Sequence, residues 1–137
     1  MKKFLSVLFI STLLLIACGP DEPELPAQKK LVLESKSVVN VPVTGGSYTI
    51  SFYLENASFD DMDLINYRSS DNWLWFKEIQ LQKEGVDVDI LGLAACRVDP
   101  NTGKLPREGK VFFTYKDQQI EVTFKQEGAT EKPNVEL

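Results

Sequence analysis

Residues 46–54 (Gly-Ser-Tyr-Thr-Ile-Ser-Phe-Tyr-Leu) alternate cleanly, with Tyr48, Ile50, Phe52 and Leu54 on one face and Thr49 and Ser51 on the other. A side-chain period of two is the pattern of a half-buried β-strand. The same pattern closes the chain. Val111, Phe113 and Tyr115 alternate, Lys116-Asp117 supplies a turn, and Ile120, Val122 and Phe124 alternate back, which predicts a hairpin. Short apolar runs at residues 31–33 and 38–43 predict two more strands, the second held by Pro42 to an edge or to its own end. Gly45-Gly46 predicts the turn that follows. Residues 86–90 (Val-Asp-Val-Asp-Ile) predict a strand with valines inward and aspartates outward. The apolar parity switches at Leu91-Gly92-Leu93, where Gly92 predicts a bulge. Asp99-Pro100-Asn101-Thr102-Gly103 is loop chemistry. No segment sustains a helical period. Seven or eight short strands within about 100 residues predict an all-β, antiparallel β-sandwich.

The first residues follow a different pattern. Lys2 and Lys3 precede an apolar run over residues 4–16, broken only by Ser6, Ser11 and Thr12. That layout predicts a signal peptide, since a membrane span needs roughly 17–25 apolar residues. The run ends in Leu15-Ile16-Ala17-Cys18, which resembles a bacterial lipobox, so Cys18 is expected to carry lipid and to become the first mature residue. Several acyl chains, each buried CH₂ contributing about 0.8 kcal/mol, make such an anchor durable. Residues 19–26 (Gly-Pro-Asp-Glu-Pro-Glu-Leu-Pro) predict an extended, solvated tether. The acidic run behind the cysteine also resembles a surface-export signal of Bacteroidetes lipoproteins. The expected location is therefore the outer membrane, with the cell surface and the periplasmic face both open. The predicted organisation is a signal peptide over 1–17, a tether over 18–29, a sandwich over 30–128 and a flexible tail over 129–137.

Size and charge narrow the function. Loss of residues 1–17 leaves 120 of the 137 residues, enough for one domain. With Cys18 lipidated, Cys96 has no disulfide partner. Its apolar context, Leu93-Ala94-Ala95-Cys96, predicts a buried, inert thiol. The net charge of −5 becomes −7 without Lys2 and Lys3, and no basic cluster offsets it, which argues against nucleic acid as a partner. The chain has no histidine, so histidine triads and histidine metal sites are excluded. Nothing marks a pair of carboxylates for glycoside hydrolysis. No enzyme activity, cofactor or metal is expected.

An ordered set of short motifs adds a resemblance. Gly45-Gly46-Ser47 opens a strand, Trp73-Leu74 follows, then Asn101-Thr102-Gly103, Arg107-Glu108-Gly109, and finally Gln126-Glu127-Gly128. The region from residue 38 to 128 thereby resembles a BACON domain, a Bacteroidetes-associated module with a supposed carbohydrate-binding role. The resemblance implies an immunoglobulin-like sandwich, commonly found with glycan-degrading enzymes or in surface lipoproteins. This chain departs from it in two places. Asp63-Leu64-Ile65-Asn66-Tyr67 stands where an earlier tryptophan is usual, and residues 77–84 are charged and long for a loop.

Candidate chemistry centres on aromatic residues. Trp73 and Trp75 are two apart, so in a strand they share a face, with Leu74 and Phe76 opposite. Trp73 is expected in the core, while Trp75 is open to either core or surface. Aromatic faces stack on sugar rings, so Trp75 and Tyr67 with polar Asn72 form the candidate carbohydrate-binding patch, with Phe59 and Tyr53 as further surface aromatics. Asp60-Asp61-Met62-Asp63 offers oxygen ligands but lacks the glycine and distal glutamate of a calcium loop, and reads as a solvated acidic loop. Arg107 and Asn101 are expected to brace loop backbone. The partners implied are the membrane through the Cys18 lipid, a polysaccharide or glycan, and as the alternative another envelope protein served by a spacer or interaction module.

Overall fold

The computed structural model describes residues 28–83 and 88–130. Eight strands form two four-stranded sheets. They are β1 (Leu31–Leu33), β2 (Val38–Val41), β3 (Gly46–Leu54), β4 (Ile65–Ser69), β5 (Leu74–Gln82), β6 (Ile90–Val98), β7 (Arg107–Tyr115) and β8 (Gln118–Gln126). One sheet has the order β1-β3-β6-β5 and the other β2-β8-β7-β4. The fold is an all-β sandwich, as the alternation predicts. The hairpin of β7 and β8 turns at Lys116, which takes a positive φ of 50°.

Between the sheets the inward positions interdigitate. Ile50, Phe52 and Leu54 of β3 and Ile90, Ala94, Cys96 and Val98 of β6 meet Val111, Phe113 and Tyr115 of β7 and Val122 and Phe124 of β8. The rings of Phe52 and Phe113 lie 4.4 Å apart at the centre. Full burial of each such side chain contributes roughly 1.5–3 kcal/mol.

Four details differ from the sequence expectation. First, β2 pairs with β8 in parallel, so the sandwich is not wholly antiparallel. The chain leaves β1 in one sheet and joins β2 in the other across Ser35–Lys36–Ser37. Ser35 binds Ser51 of β3 through backbone and hydroxyl, and the Ser37 carbonyl accepts from Thr123 of β8. Pro42 ends β2 at Val41, since proline has no N–H for the ladder. Second, Gly92 is no bulge. β6 runs regularly from Ile90 to Val98 with Gly92 inward, and a Cβ there would lie 2.2 Å from Phe52 Cζ. The bulge falls instead on β5, between Phe76 and Glu78. Third, Val88 is exposed and precedes β6, so the inward valine predicted there is not found; Val86 and Asp87 lie outside the described residues. Fourth, residues 77–82 are strand rather than loop, because β5 continues past its bulge with Ile79 and Leu81 against the core.

Strand directions give the body two distinct ends. Leu31, Leu54, Gln82, Ile90, Ile65, Tyr115 and Gln118 gather at one; Gly46, Leu74, Val98, Ser69, Arg107 and Gln126 gather at the other. The chain enters at the first end, and its first described residues are fastened there. Gln118 donates to the Lys29 carbonyl and accepts from the Leu31 N–H, Asn56 donates to the Gln28 carbonyl, and the Lys29 ammonium pairs with Asp61 at 2.8 Å. Lys29 therefore belongs to the folded body rather than to a tether. Ala129 is likewise bound, its N–H donating to the Gly103 carbonyl; the remainder of the predicted tail lies outside the described residues.

Candidate functional site

The end away from residue 28 is held by polar side chains that spend their donors on loop backbone. Gln126 is buried, donates to the carbonyls of Pro42, Val43 and Asp99, and accepts from Arg107 Nε at 2.7 Å. Arg107 also donates to the carbonyls of Asp99 and Pro100 and lies 4.2 Å above the ring of Trp73. Asn101 is buried, donates to the carbonyls of Leu105 and Glu127, and accepts from the Gly103 N–H. This is the bracing expected of Arg107 and Asn101, with Gln126 as a third member.

The two tryptophans part here. Trp73 lies in the turn before β5, half-buried against the core, and its ring fills the space that a Cβ on Gly109 would need. Because it precedes the strand, it does not share a strand face with Trp75. Trp75 points outward from β5, which is an edge strand, and its side is 39% exposed while Leu74 beside it is fully buried. Its indole N–H donates to Asp99 Oδ1 at 3.1 Å, so the ring is fixed on the surface. Across the sheet its partner in register is Arg97 of β6, and beyond that Ser47 of β3. Arg97 is exposed and donates to Ser47 Oγ at 3.1 Å. An indole, a guanidinium and a hydroxyl thus form one row on the outer face.

Tyr67 of β4 is also exposed, but it packs edge-on against Phe76, with ring centroids 5.0 Å apart, where β4 and β5 close the side of the sandwich. Phe76 is the inward neighbour of Trp75, so Tyr67 and Trp75 lie on opposite faces of β5. Asn72 is exposed in the turn before β5. The three candidates share one edge of the molecule, yet Trp75 and Tyr67 do not make a single flat platform. Phe59 is exposed at the opposite end, near the Lys83 ammonium, and Tyr53 is half-buried on the outer face of β3. Cys18 lies outside the described residues.

The acidic run is structural. Asp61 is buried in the short 3-10 helix Phe59–Leu64 rather than solvated. Its carboxylate accepts from the Ser58 N–H and hydroxyl, from the Tyr115 hydroxyl at 2.8 Å, and from Lys29. Burial by itself raises the Asp61 pKa, but the bonds from Lys29, Ser58 and Tyr115 outweigh it and hold the group well below the usual carboxylate range. The cation that Asp61 serves is thus the Lys29 ammonium, held within the fold. Cys96 is buried as expected, and burial pushes its thiol up to about 12.

Arg97 and Asp99 did not stand out in the sequence. Their place beside Trp75 depends on which strand pairs with β5, and periodicity along one strand carries no such information. Gln126 stood out only as part of a motif.

No protein-family profile matches the chain, and no curated protein matches it. Among solved structures, the chain is similar to part of a Bacteroides ovatus GH5 xyloglucanase in complex with a XXXG heptasaccharide. The TM-score is 0.52 and the identity 13%, over 74% of this chain and 19% of that one. An NMR structure of a protein from Bacteroides thetaiotaomicron aligns over 83% of this chain and 99% of that one, with TM-score 0.38 and 14% identity. At such identities the likeness to the xyloglucanase is one of fold, and this chain spans about a fifth of its length.

Proposed function

We propose that this chain is a non-catalytic, lipid-anchored envelope protein of the BACON type, held to the outer membrane through Cys18 and binding glycan at the cell surface through Trp75. The observation that carries the reading is the Trp75 indole, which lies on the outer face of an edge strand with its N–H held by Asp99. A ring already fixed loses little conformational freedom when a sugar stacks on it, and that saving supports affinity. Glycan is further supported by the neighbouring fold, which forms part of an enzyme solved in complex with a heptasaccharide. Among the described residues the polar side chains at this end, Arg107, Asn101 and Gln126, are occupied with backbone, which suits a rigid support better than a reaction centre.

Residues 19–137 contain the whole described body and suit a screen against plant and host polysaccharides by affinity electrophoresis. Retention on a glycan class is expected, with Trp75→Ala abolishing it and leaving the melting temperature within a few degrees of the parent. Silence across the panel from folded protein would replace this reading with a spacer or protein-binding module. A large loss of stability in Trp75→Ala would return that ring to a structural role.

A further inference from the structure

We infer that the Trp75 site takes a sugar bearing a negative charge, and that Arg97 reads that charge. The inference rests on the glycan reading above and names its ligand class. It starts from the three arginines of the chain. Arg107 is spent on Gln126, two carbonyls and the Trp73 ring. Arg68 lies 4.0 Å over the ring of Phe112 on the outer face of the other sheet. Arg97 is different: it is exposed, and among the described residues its one side-chain bond goes to Ser47 Oγ. No carboxylate among those residues pairs with it. Most of a guanidinium's five N–H donors therefore face solvent, while the bond to Ser47 limits where the group can swing.

Position gives those donors a use. Arg97 sits directly across from Trp75 on the neighbouring strand, and paired strands lie about 4.8 Å apart. The guanidinium leans toward Ser47 on the far side of β6, so a glycan stacked on the indole and running along this row toward β3 would carry a substituent of its next ring over the guanidinium. The planar fork of arginine matches a carboxylate or sulfate with two parallel hydrogen bonds, and such charge-assisted bonds are about twice as strong as neutral ones. Asp99, two residues beyond Arg97 on the same side of the indole, spends Oδ1 on the ring N–H, and its charge disfavours an anionic substituent at that end of the ring, leaving the Arg97 end to receive it. The chain as a whole carries a net charge of −5, so a general electrostatic field would repel a polyanion rather than gather it. Retention of an acidic polysaccharide must then arise from a local site.

The test uses the full-length chain in detergent micelles, measured against polygalacturonate (charged by carboxylate alone), κ-carrageenan (charged by sulfate alone) and neutral xyloglucan by retention and calorimetry. One of the acidic polymers is expected to bind at least tenfold more tightly than xyloglucan, and the stronger of the two identifies carboxylate or sulfate as the charge. Arg97→Gln is expected to remove at least tenfold of that affinity, and Arg97→Lys to restore part of it, since it keeps the charge without the fork. Arg97 is exposed, so the melting temperature of both variants should match the parent. If xyloglucan binds through Trp75 and Arg97→Gln changes nothing, the charge inference falls and the glycan reading stands. If folded protein retains none of the three, nor any glycan of the wider screen, both fall together.

Discussion

A methyl group added at Gly92 would lie 2.2 Å from Cζ of Phe52 and 2.5 Å from both Cε atoms, contacts that the packed centre cannot absorb without moving the ring. Phe52 in turn rests on Phe113, so its displacement would spread to the other sheet. Gly92→Ala is expected to cost about 1–3 kcal/mol, the usual range for overpacking. That corresponds to a fall in melting temperature of about 4–8 °C per kcal/mol for a body of this size, read by calorimetry. Phe52→Leu in the same chain should recover part of the loss, whereas a backbone bulge at Gly92 would tolerate alanine without rescue. The glycine was visible in the sequence, but its reason was not. Gly92 faces Phe52 only because β3 pairs with β6 in that register, and no pattern along β6 encodes the partner. The same limit hid Arg97, whereas Asn101 and Arg107 were legible through the part of their bracing that is local, Asn101 on Gly103 and Leu105 and Arg107 on Asp99 and Pro100.

The short helix Phe59–Leu64 ties three elements together through one carboxylate. Asp61 joins its own helix start at Ser58 to Tyr115 at the end of β7 and to Lys29 ahead of β1. Hydrogen bonds to a charged acceptor contribute roughly 1.5–3 kcal/mol when buried, so Asp61→Asn is expected to lose about that much at pH 7 in urea unfolding. The folded-state pKa of Asp61 lies below the value near 3.9 expected of an unfolded aspartate. Its contribution is therefore complete above about pH 4 and shrinks as the pH falls below that. The gap between parent and Asp61→Asn should narrow between pH 4 and pH 2; a constant gap would remove Asp61 as the titrating group. In the sequence this element looked like a solvated acidic loop, because the partner Tyr115 is 54 residues away. The far half of β5 was obscured for another reason: the bulge after Phe76 shifts its alternation out of phase with Leu74 and Phe76. Periodicity did reveal β3, β7 and β8, where no bulge intervenes and one face is fully buried.

At the scale of the whole molecule, the two sheets close over Cys96, whose thiol is buried and pushed up to about 12. Reaction with a thiol reagent needs the exposed thiolate, so labelling at pH 8 should proceed at the rate at which the sandwich opens. Urea should accelerate it in step with unfolding, and rapid labelling of the native protein would contradict the burial. The edges are guarded as well. The edge strand β5 carries a bulge in its pairing with β6 and, at the bulge, charged Lys77 and Glu78, features that discourage pairing with another chain. The fastening of residues 28–31 at one end, with Trp75 near the other, has a mechanical consequence. A tension between the chain ahead of Gln28 and a ligand held at Trp75 would run along the strands rather than across them. The β1–β3 ladder would then be sheared, its rungs bearing the load together instead of opening one at a time, and the Asn56–Gln28 bond, followed by the Lys29–Asp61 pair, would be the first contacts to feel the pull.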